Sequence, residues 1–376
     1  MRLAFTDEQD SLRDTVRAFL RATCPESEVR RLMDTDAGFD AGVWTRFADL
    51  GVCGLTVPER LGGAGYSFVE LGVVLEELGA SLACLPFLSS VVLAQSLLMA
   101  IDDDGAQSRW MPGLASGVVR GTVAFAEGSG GWDGRGITTL AVRDGERWRL
   151  DGAKTFVLDG HTADLVLVLA ETDADGLSVF AVEPDAPGVT RSVLETMDQT
   201  RKQASIELAG TPAVLVGTPG SGAAALATMG DSAAIALAVE AVGGASAVLE
   251  EAVEYAKVRV QFGRPIGSFQ AIKHRCADML LRVESARSAA YHAIWAASES
   301  SGEGDTDELR IAASMAKAYC TEAYAWAAAE NIQIHGGIGF TWEHSAHLYF
   351  KRATSSRLLF GDPVEHRARL ADLIGI

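Results

Sequence analysis

The chain contains 376 residues, of which 48% are hydrophobic, and it carries a formal net charge of −18. Because this length exceeds one typical hydrophobic core, we expect two or three domains. The acidity argues against nucleic acid and anionic membrane as binding partners, since both require clustered Lys and Arg side chains.

The cysteine pattern argues against two common kinds of site. Five cysteines are spread along the chain without a C-x-x-C pair or a histidine cluster, so neither a metal site nor a disulfide framework is predicted. The N-terminus turns acidic at Asp7 and Glu8 before any apolar run, and the apolar stretch 91–100 is too short to span a bilayer. The expected location is therefore the cytoplasm.

The first predicted element is a helix that starts near Asp7. Thr6 and Gln9 have the spacing of a capping box, and an apolar stripe at helical spacing follows them. Further helical patterns extend to about residue 120 and are interrupted at 57–65, where Pro58 and three glycines require a turn. We predict an N-terminal all-helical domain over residues 1–120.

Near Gly121 the hydrophobic pattern changes to short runs rich in Val, Thr and Leu. Turn residues separate these runs, which is typical of a compact β-domain. We predict a barrel-like or sandwich-like β-domain over residues 121–220. The predicted strands lie at 122–125, 138–142, 148–150, 165–169, 177–182 and 205–208.

From Ala223 onward every predicted element is a helix. Two long apolar patterns at spacings of three, four or seven run through 242–260 and 272–290. After a break at 302–305, a third helix is predicted to begin near Thr306 and to extend to about Ile334. With a C-terminal helix, these patterns predict a four-helix bundle over residues 221–376. The predicted fold class is therefore α+β.

Two motifs within this helical region carry the functional prediction. The first, at residues 255–270, places Arg259, Gln261 and Gln270 at a corner between two helices. A guanidinium offers a rigid fork of donors that suits phosphate oxygens. The alternative is that Arg259 pairs with a carboxylate.

The second motif is Gln333-Ile334-His335-Gly336-Gly337-Ile338-Gly339. Glycines after a helix allow backbone amides to approach a bound group closely. The alternative is a helix C-cap with a tight turn, which explains one glycine better than three. His335 and His274 have no nucleophile or metal-ligand partner at a useful spacing, so we interpret both as structural or solvent-facing.

In residue type and spacing, these two motifs resemble the acyl-CoA dehydrogenase family. The resemblance implies an FAD-dependent enzyme that desaturates an acyl-CoA thioester between its α and β carbons, with an electron-transfer flavoprotein as acceptor. It also implies a homo- or hetero-oligomer, dimeric or tetrameric, because in the family both motifs reach the flavin nucleotide of a neighbouring subunit. The residues of these motifs that it assigns to cofactor binding are Arg259, Gln261, Phe262, Gln270, Gln333, Gly336 and Gly337.

The same resemblance reveals a departure at the catalytic base. The family's base is a Glu just before a glycine or, in a minority, a Glu at the start of the helix leading to the arginine motif. The corresponding positions here are Phe360 and Ala233. Asp362 and Asp231 each lie two residues from one of these positions and are the remaining catalytic candidates. The alternative places Asp362 in an exposed turn and Asp231 in the first turn of a helix.

The residues at the expected position of the flavin ring also depart from the family's pattern. The family's Trp-x-Thr segment, which packs on the ring and hydrogen-bonds its N5, corresponds here to Phe156 and Leu158. Phe156 can still stack on a ring, whereas Leu158 cannot donate a hydrogen bond. The nearby loop 126–130 keeps only Glu127 and glycines of the family pattern. Near the C-terminus, Asp362 and Val364 replace the Thr and Gln that usually hold the adenosine.

Three hypotheses remain open. In the first, the chain belongs to a mixed oligomer and completes the flavin site of a related chain that carries the catalytic Glu, as in bacterial members that act on bulky acyl-CoA side chains, including those of sterols. In the second, it is a self-sufficient dehydrogenase that uses Asp362, Asp231 or another carboxylate as its base. In the third, it is a flavin-free structural or regulatory homologue without dehydrogenase activity.

Overall fold

A computed structural model describes residues 5–128, 131–145, 147–173, 175–299 and 306–376. The predicted break at 302–305 and residues 129–130 of the predicted loop lie outside the described residues. By internal contacts, the chain divides into two compact units. The helical unit comprises Met1–Arg30, Phe68–Ala83 and Ala234–Ile376, and the barrel unit comprises Arg31–Ser67 and Cys84–Ala233. The three-domain division at residues 120 and 220 stays a prediction.

The N-terminal part of the chain is helical, as predicted. Thr6 and Gln9 form the expected capping box: Thr6 N donates to Gln9 Oε1 over 2.9 Å, and Gln9 N donates to Thr6 Oγ1 over 3.3 Å. A π-helical segment at Leu88–Ala94 interrupts the α-helical series. The α-helices of this part are α1 (Asp7–Thr23), α2 (Glu26–Met33), α3 (Ala41–Ala48), α4 (Phe68–Ala80), α5 (Gln95–Met99) and α6 (Asp104–Ala115).

Seven described strands between residues 121 and 216 form one sheet that closes on itself. They are β1 (Gly121–Ala124), β2 (Leu140–Asp144), β3 (Arg147–Leu158), β4 (Leu165–Thr172), β5 (Gly176–Val182), β6 (Val189–Val193) and β7 (Gln203–Val216). Strands β4, β2, β3, β7 and β5 pair in that order, and β5 pairs back with β4. Strand β1 pairs parallel to β4, and β6 pairs antiparallel with residues 204–208 of β7. The sheet is therefore the predicted barrel, with Leu150, Val168, Phe180 and Ile206 buried in its core.

The C-terminal helices form the predicted bundle. They are α7 (Gly222–Val258), α8 (Gln270–Glu299), α9 (Thr306–His335), α10 (Ala346–Leu358) and α11 (Pro363–Leu373). Helix α9 packs against α8, α10 and α11. Of the described helices, α7 is long and apolar enough to cross a membrane, but 78% of its most apolar stretch is buried inside the protein, as in a core helix.

Helices α4 and α7 approach each other closely through two glycines. A Cβ on Gly243 would lie 1.9 Å from Glu76 O, and a Cβ on Gly79 would lie 2.1 Å from Glu240 O. Since no side chain fits at these distances, the crossing requires glycine on both helices. This contact holds the part of α7 that belongs to the helical unit, and this part leads into the arginine motif.

Candidate functional site

The corner after α7 is a small β-hairpin rather than a simple turn. Strands β8 (Val260–Gln261) and β9 (Arg264–Pro265) pair antiparallel. Phe262 and Gly263, at the tip, have φ angles of 52° and 77°, as in a type I′ turn. Ile266 N donates to Arg259 O over 2.7 Å and closes the base of the hairpin. The hairpin therefore holds a bulky residue in the left-handed region, which is uncommon outside functional loops.

Arg259 is an exposed residue at the start of this hairpin. Among the described residues, its exposed guanidinium makes no ion pair or side-chain hydrogen bond. The alternative in which Arg259 pairs with a carboxylate is therefore not seen among the residues that the structure describes. A free guanidinium is what a phosphate-binding arginine requires before its ligand arrives.

The other candidates of the corner are exposed as well. The side chain of Phe262 is 92% exposed, and its ring meets Phe269 edge-on at 6.1 Å. Gln261 Nε2 donates over 2.8 Å to its neighbour Val260 O, and Gln270 Nε2 lies 3.4 Å from Nε2 of His274. The corner thus presents a polar and aromatic surface that this chain leaves uncovered.

The glycines of the second motif follow the end of α9 and have different structural roles. Gly336 has a φ of 65°, which favours glycine, and Gly339 is packed so that a Cβ would lie 3.0 Å from Ile332 O. A Cβ on Gly337 would meet nothing within 4 Å. Backbone geometry and packing thus explain Gly336 and Gly339, whereas Gly337 borders open space where an external group has room to approach the backbone. Gln333 is also exposed.

An aromatic stack brings the two motifs together within the helical unit. The ring of Tyr255, one turn before Arg259, stacks on His335 with centroids 4.1 Å apart and 28° between the planes. The His335 ring also lies 4.3 Å from that of His344, and its Nδ1 donates to Asn331 O over 2.9 Å. His335 is therefore a structural residue, as interpreted from the sequence.

A buried polar cluster missed in the sequence lies beside this stack. Glu251 on α7 accepts hydrogen bonds from Asn331 Nδ2 (3.0 Å) and from Ser345 Oγ (2.9 Å). Burial raises the pKa of the Glu251 carboxyl group, although the bonds from Ser345 and Asn331 act in the opposite direction. The sequence signal was present but ambiguous, because Glu250 and Glu251 are adjacent and either one suits an exposed helix face.

The turn at Phe360, the predicted counterpart of the family's base position, has a defined shape without a carboxylate at that residue. Phe360 is 7% exposed and has a φ of 56°. His366 Nε2 donates to Phe360 O over 2.9 Å, and the buried Lys317 donates from Nζ to Gly361 O over 2.8 Å. The second usual base position, Ala233, is a fully buried residue of α7. Neither position supplies a base.

The two remaining aspartates are in surroundings unlike those of a base. Asp362 is the N-cap of α11, and its carboxylate accepts from Val364 N and Glu365 N over 2.7 and 2.9 Å. These backbone donors, with Glu365 first, lower the pKa of Asp362, whereas a general base near neutral pH needs a raised one. Asp231 is 4% exposed within α7, farther along the helix than the predicted first turn.

In the barrel unit, the two candidates for the flavin ring differ in exposure. Phe156 lies in an irregularity of β3 between Lys154 and Val157, with a φ of 54°, and its side chain is 42% exposed. Such a bulge turns a side chain out of the regular alternation. Leu158 is 3% exposed, so it offers almost no surface. Of the two, Phe156 is the side chain available for stacking.

A buried ion pair, also missed in the sequence, anchors the strand that carries Phe156. Lys154 Nζ donates to Glu127 Oε1 over 2.7 Å, and the exposed fractions of the two side chains are 0% and 8%. The backbone N–H groups of Thr138 and Thr139 also donate to Glu127. Against the effect of burial, bonds from Lys154 and the two threonines lower the pKa of Glu127 to about 2. The available sequence signal was Lys154 itself, a charged residue within a predicted β-domain segment that also contains apolar residues.

Comparison with known proteins defines the class. Three descriptions of the acyl-CoA dehydrogenase family match the chain: its N-terminal domain over residues 6–118, its middle domain over 122–209 and its C-terminal domain over 220–373. The chain is 33% identical to acyl-CoA dehydrogenase IpdE2 of Mycolicibacterium smegmatis, with 97% of this chain and 98% of the relative aligned. Identity to IpdE2 of Mycobacterium tuberculosis is 34%, with 97% and 96% aligned. The chain therefore belongs to the acyl-CoA dehydrogenase family.

Solved structures agree with this assignment. The ChsE4-ChsE5 complex of Mycobacterium tuberculosis matches with a TM-score of 0.88 and 31% identity, over 100% of this chain and 99% of that chain. A variant of the Tcur3481-Tcur3483 steroid ACAD matches with a TM-score of 0.86 and 32% identity, over 98% of both chains. A structure described as an FAD-dependent dehydrogenase matches with a TM-score of 0.89 and 26% identity, over 100% of both chains. The family and these neighbours indicate FAD as the cofactor.

Proposed function

We propose that this chain is a subunit of a mixed oligomer that desaturates an acyl-CoA thioester, and that a related chain supplies the catalytic base. The observation that carries the proposal is a contrast within one chain. Arg259 is exposed and free of partners among the described residues, whereas Phe360 and Ala233 occupy the two usual base positions. The chain thus keeps groups suited to a neighbour's flavin and lacks a carboxylate at either base position.

The chain's own residues fit a nucleotide diphosphate. Arg259 would hold the diphosphate oxygens through charge-assisted bonds, and the backbone around Gly336 and Gly337 would lie against the same nucleotide. Bound FAD would supply the hydride acceptor for the substrate's β-hydrogen, and a carboxylate of the related chain would take the α-proton. Phe156 remains available to pack on a flavin ring.

The names of similar proteins extend this proposal to the substrate and the partners. The structural neighbours at 31% and 32% identity include a named complex of two chains and a steroid ACAD, which supports a bulky acyl group of the steroid type. A further neighbour, with a TM-score of 0.92 and 27% identity, is described as an electron transferring flavoprotein of Acidaminococcus fermentans. Because the family resemblance also implies an electron-transfer flavoprotein as the electron acceptor, we include one in the proposal.

The test is a comparison of turnover by two preparations. The chain is expressed alone and with a related chain that carries the family's Glu, and acyl-CoA-dependent reduction of an artificial acceptor is measured. We expect turnover only in the co-expressed preparation, lost when the Glu of the related chain is replaced by Gln. Turnover by the chain alone would contradict the proposal and favour a self-sufficient enzyme.

The flavin-free alternative is not favoured, because family membership and the FAD-dependent neighbours argue for a cofactor. Visible absorbance distinguishes it directly. Protein that lacks flavin in every expression context would revive this alternative, and stoichiometric flavin in any context excludes it.

A further inference from the structure

The residues that join the two nucleotide motifs form one continuous polar and aromatic bridge. Helix α7 supplies Glu251 and Tyr255, spaced by one helical turn, and Arg259 follows one turn later. Arg259 N donates to Tyr255 O over 2.9 Å, so the helical path continues as far as the arginine. The orientation of the Glu251–Tyr255 stripe therefore sets the direction in which Arg259 leaves the helix.

Helix α9 faces this stripe with two buried residues. Asn331 is 0% exposed and His335 is 6% exposed, and these two meet Glu251 and Tyr255 respectively. Successive residues of an α-helix are rotated by about 100°. The side chain of Gln333 is therefore rotated by about 200° from those of Asn331 and His335, and it points to the other side of the helix. Holding Asn331 and His335 against α7 therefore turns Gln333 outwards, where it is exposed.

Glu251 also fixes the segment after the glycines. Its second oxygen accepts from Ser345 Oγ, just before α10, so a single carboxylate bonds to both ends of the glycine-rich segment. We infer that Glu251 is a positioning residue that holds Arg259 and Gln333 in a fixed mutual orientation for one nucleotide diphosphate. This inference rests on the proposed flavin-binding role of the two motifs.

Glu251 is not a displaced base. It lies about 27 Å along α7 from Ala233, at the helical rise of about 1.5 Å per residue. Its two oxygens are already occupied by Asn331 and Ser345. Its function is therefore to orient other groups.

The unpaired Oδ1 of Asn331 predicts which substitution is tolerated. This atom is buried and has no hydrogen-bond partner among the described residues. In Glu251→Gln, the new amide can donate to Asn331 and still accept from Ser345, so both bridges persist. In Glu251→Leu, both polar partners lose their acceptor, and Asn331 is left buried with neither side-chain polar atom paired.

The experiment measures hydrogen–deuterium exchange in the flavin-free protein. We expect Glu251→Leu to speed amide exchange about tenfold in both segments, 259–266 and 336–341. The reason is that loss of the hydrogen bonds to Asn331 and Ser345 allows both segments to open locally. Glu251→Gln should stay within about twofold of the wild type. Glu250→Leu is the matched control, since Glu250 is the exposed neighbour on the same helix, and it should leave both segments unchanged.

Faster exchange in one segment alone, or in neither, would overturn the inference. If Glu251→Leu does not fold, Asn331→Ala is used instead, because it removes the hydrogen bond to Glu251. Faster exchange in both segments then supports the inference, and faster exchange in one or neither overturns it.

In the mixed oligomer, Glu251→Leu should also raise the dissociation constant of FAD about tenfold and leave turnover at saturating FAD within about twofold. An unchanged FAD affinity would contradict the positioning role. If the wild type binds no FAD in any context, the proposed function fails, while the exchange measurement still decides whether Glu251 couples the segments.

Discussion

The ammonium group of Lys317 lies 2.8 Å from the carbonyl oxygen of Gly361, in the buried interior of the helical unit. Gly361 follows Phe360, which the sequence resemblance predicts to stand at the position of the family's usual base. The hydrogen bond from the buried Lys317 therefore stabilises this turn, although Phe360 has an apolar side chain.

Lys317 makes the stability of the protein depend on pH. Burial lowers its pKa to about 7, against the opposing effect of Asp362 and Glu365, whereas its ordinary value is 10.5. Between these values the unfolded chain binds more protons than the folded one, so this group makes the free energy of unfolding rise with pH. We predict that Lys317→Met removes this rise in denaturant titrations from pH 7 to pH 10, and that the exposed control Lys273→Met keeps it. The same slope in Lys317→Met and wild type would contradict the assignment.

Arg259 should contribute to flavin binding and little to folding. Because its guanidinium has no partner among the described residues, we expect Arg259→Ala to change the free energy of unfolding by less than about 0.5 kcal/mol. The FAD dissociation constant of the mixed oligomer should rise about tenfold or more, with Arg259→Lys intermediate because a lysine cannot form the fork. Flavin fluorescence titration measures the dissociation constant of each variant. Lys257→Gln, at an exposed lysine two residues earlier, is the control, and an equal effect of that variant would point to general electrostatics.

Asp362 should matter for stability rather than for proton transfer. Asp362→Ala removes the N-cap of α11 and should cost about 1 kcal/mol in urea unfolding, whereas Asp362→Asn keeps an acceptor and should cost little. Turnover of the mixed oligomer should be unchanged in Asp362→Asn and in Asp231→Asn. A loss of turnover of a hundredfold or more in either Asn variant, with normal folding, would identify the base within this chain.

The Glu127–Lys154 pair should show strong coupling. Removing one partner leaves the other charge buried, so Glu127→Leu or Lys154→Met alone should destabilise the protein by about 3–5 kcal/mol. The double variant removes both charges and should lose much less than the sum. Chemical unfolding of the wild type, the two single variants and the double variant measures this. Additive losses would show that the pair does not interact as its geometry implies.

Elements with strong local signals were predictable. The capping box of Thr6 and Gln9 placed the start of α1 at the correct residue, because both partners lie within one turn of sequence. The change from helical patterns to short Val-rich runs near Gly121 gave the barrel its approximate start. The cytoplasmic location stays a prediction.

Elements that depend on distant partners were not predictable. Strand β6 (Val189–Val193) is mostly exposed, so it lacks the alternation that marks a half-buried strand. The hairpin tip at Phe262 is a left-handed conformation that sequence patterns assign to glycine or asparagine. In the site, the motif residues were found by spacing, whereas Glu251 and its partners Asn331 and Ser345 meet only after folding.

The most direct test of the account is the flavin content of the purified chain. The ratio of FAD to protein is measured by absorbance for the chain expressed alone and for the chain expressed with a related partner that carries the catalytic Glu. We expect bound FAD in the co-expressed oligomer and far less than one FAD per chain in the protein expressed alone. One tightly bound FAD per chain, with acyl-CoA turnover, in the protein expressed alone would contradict it.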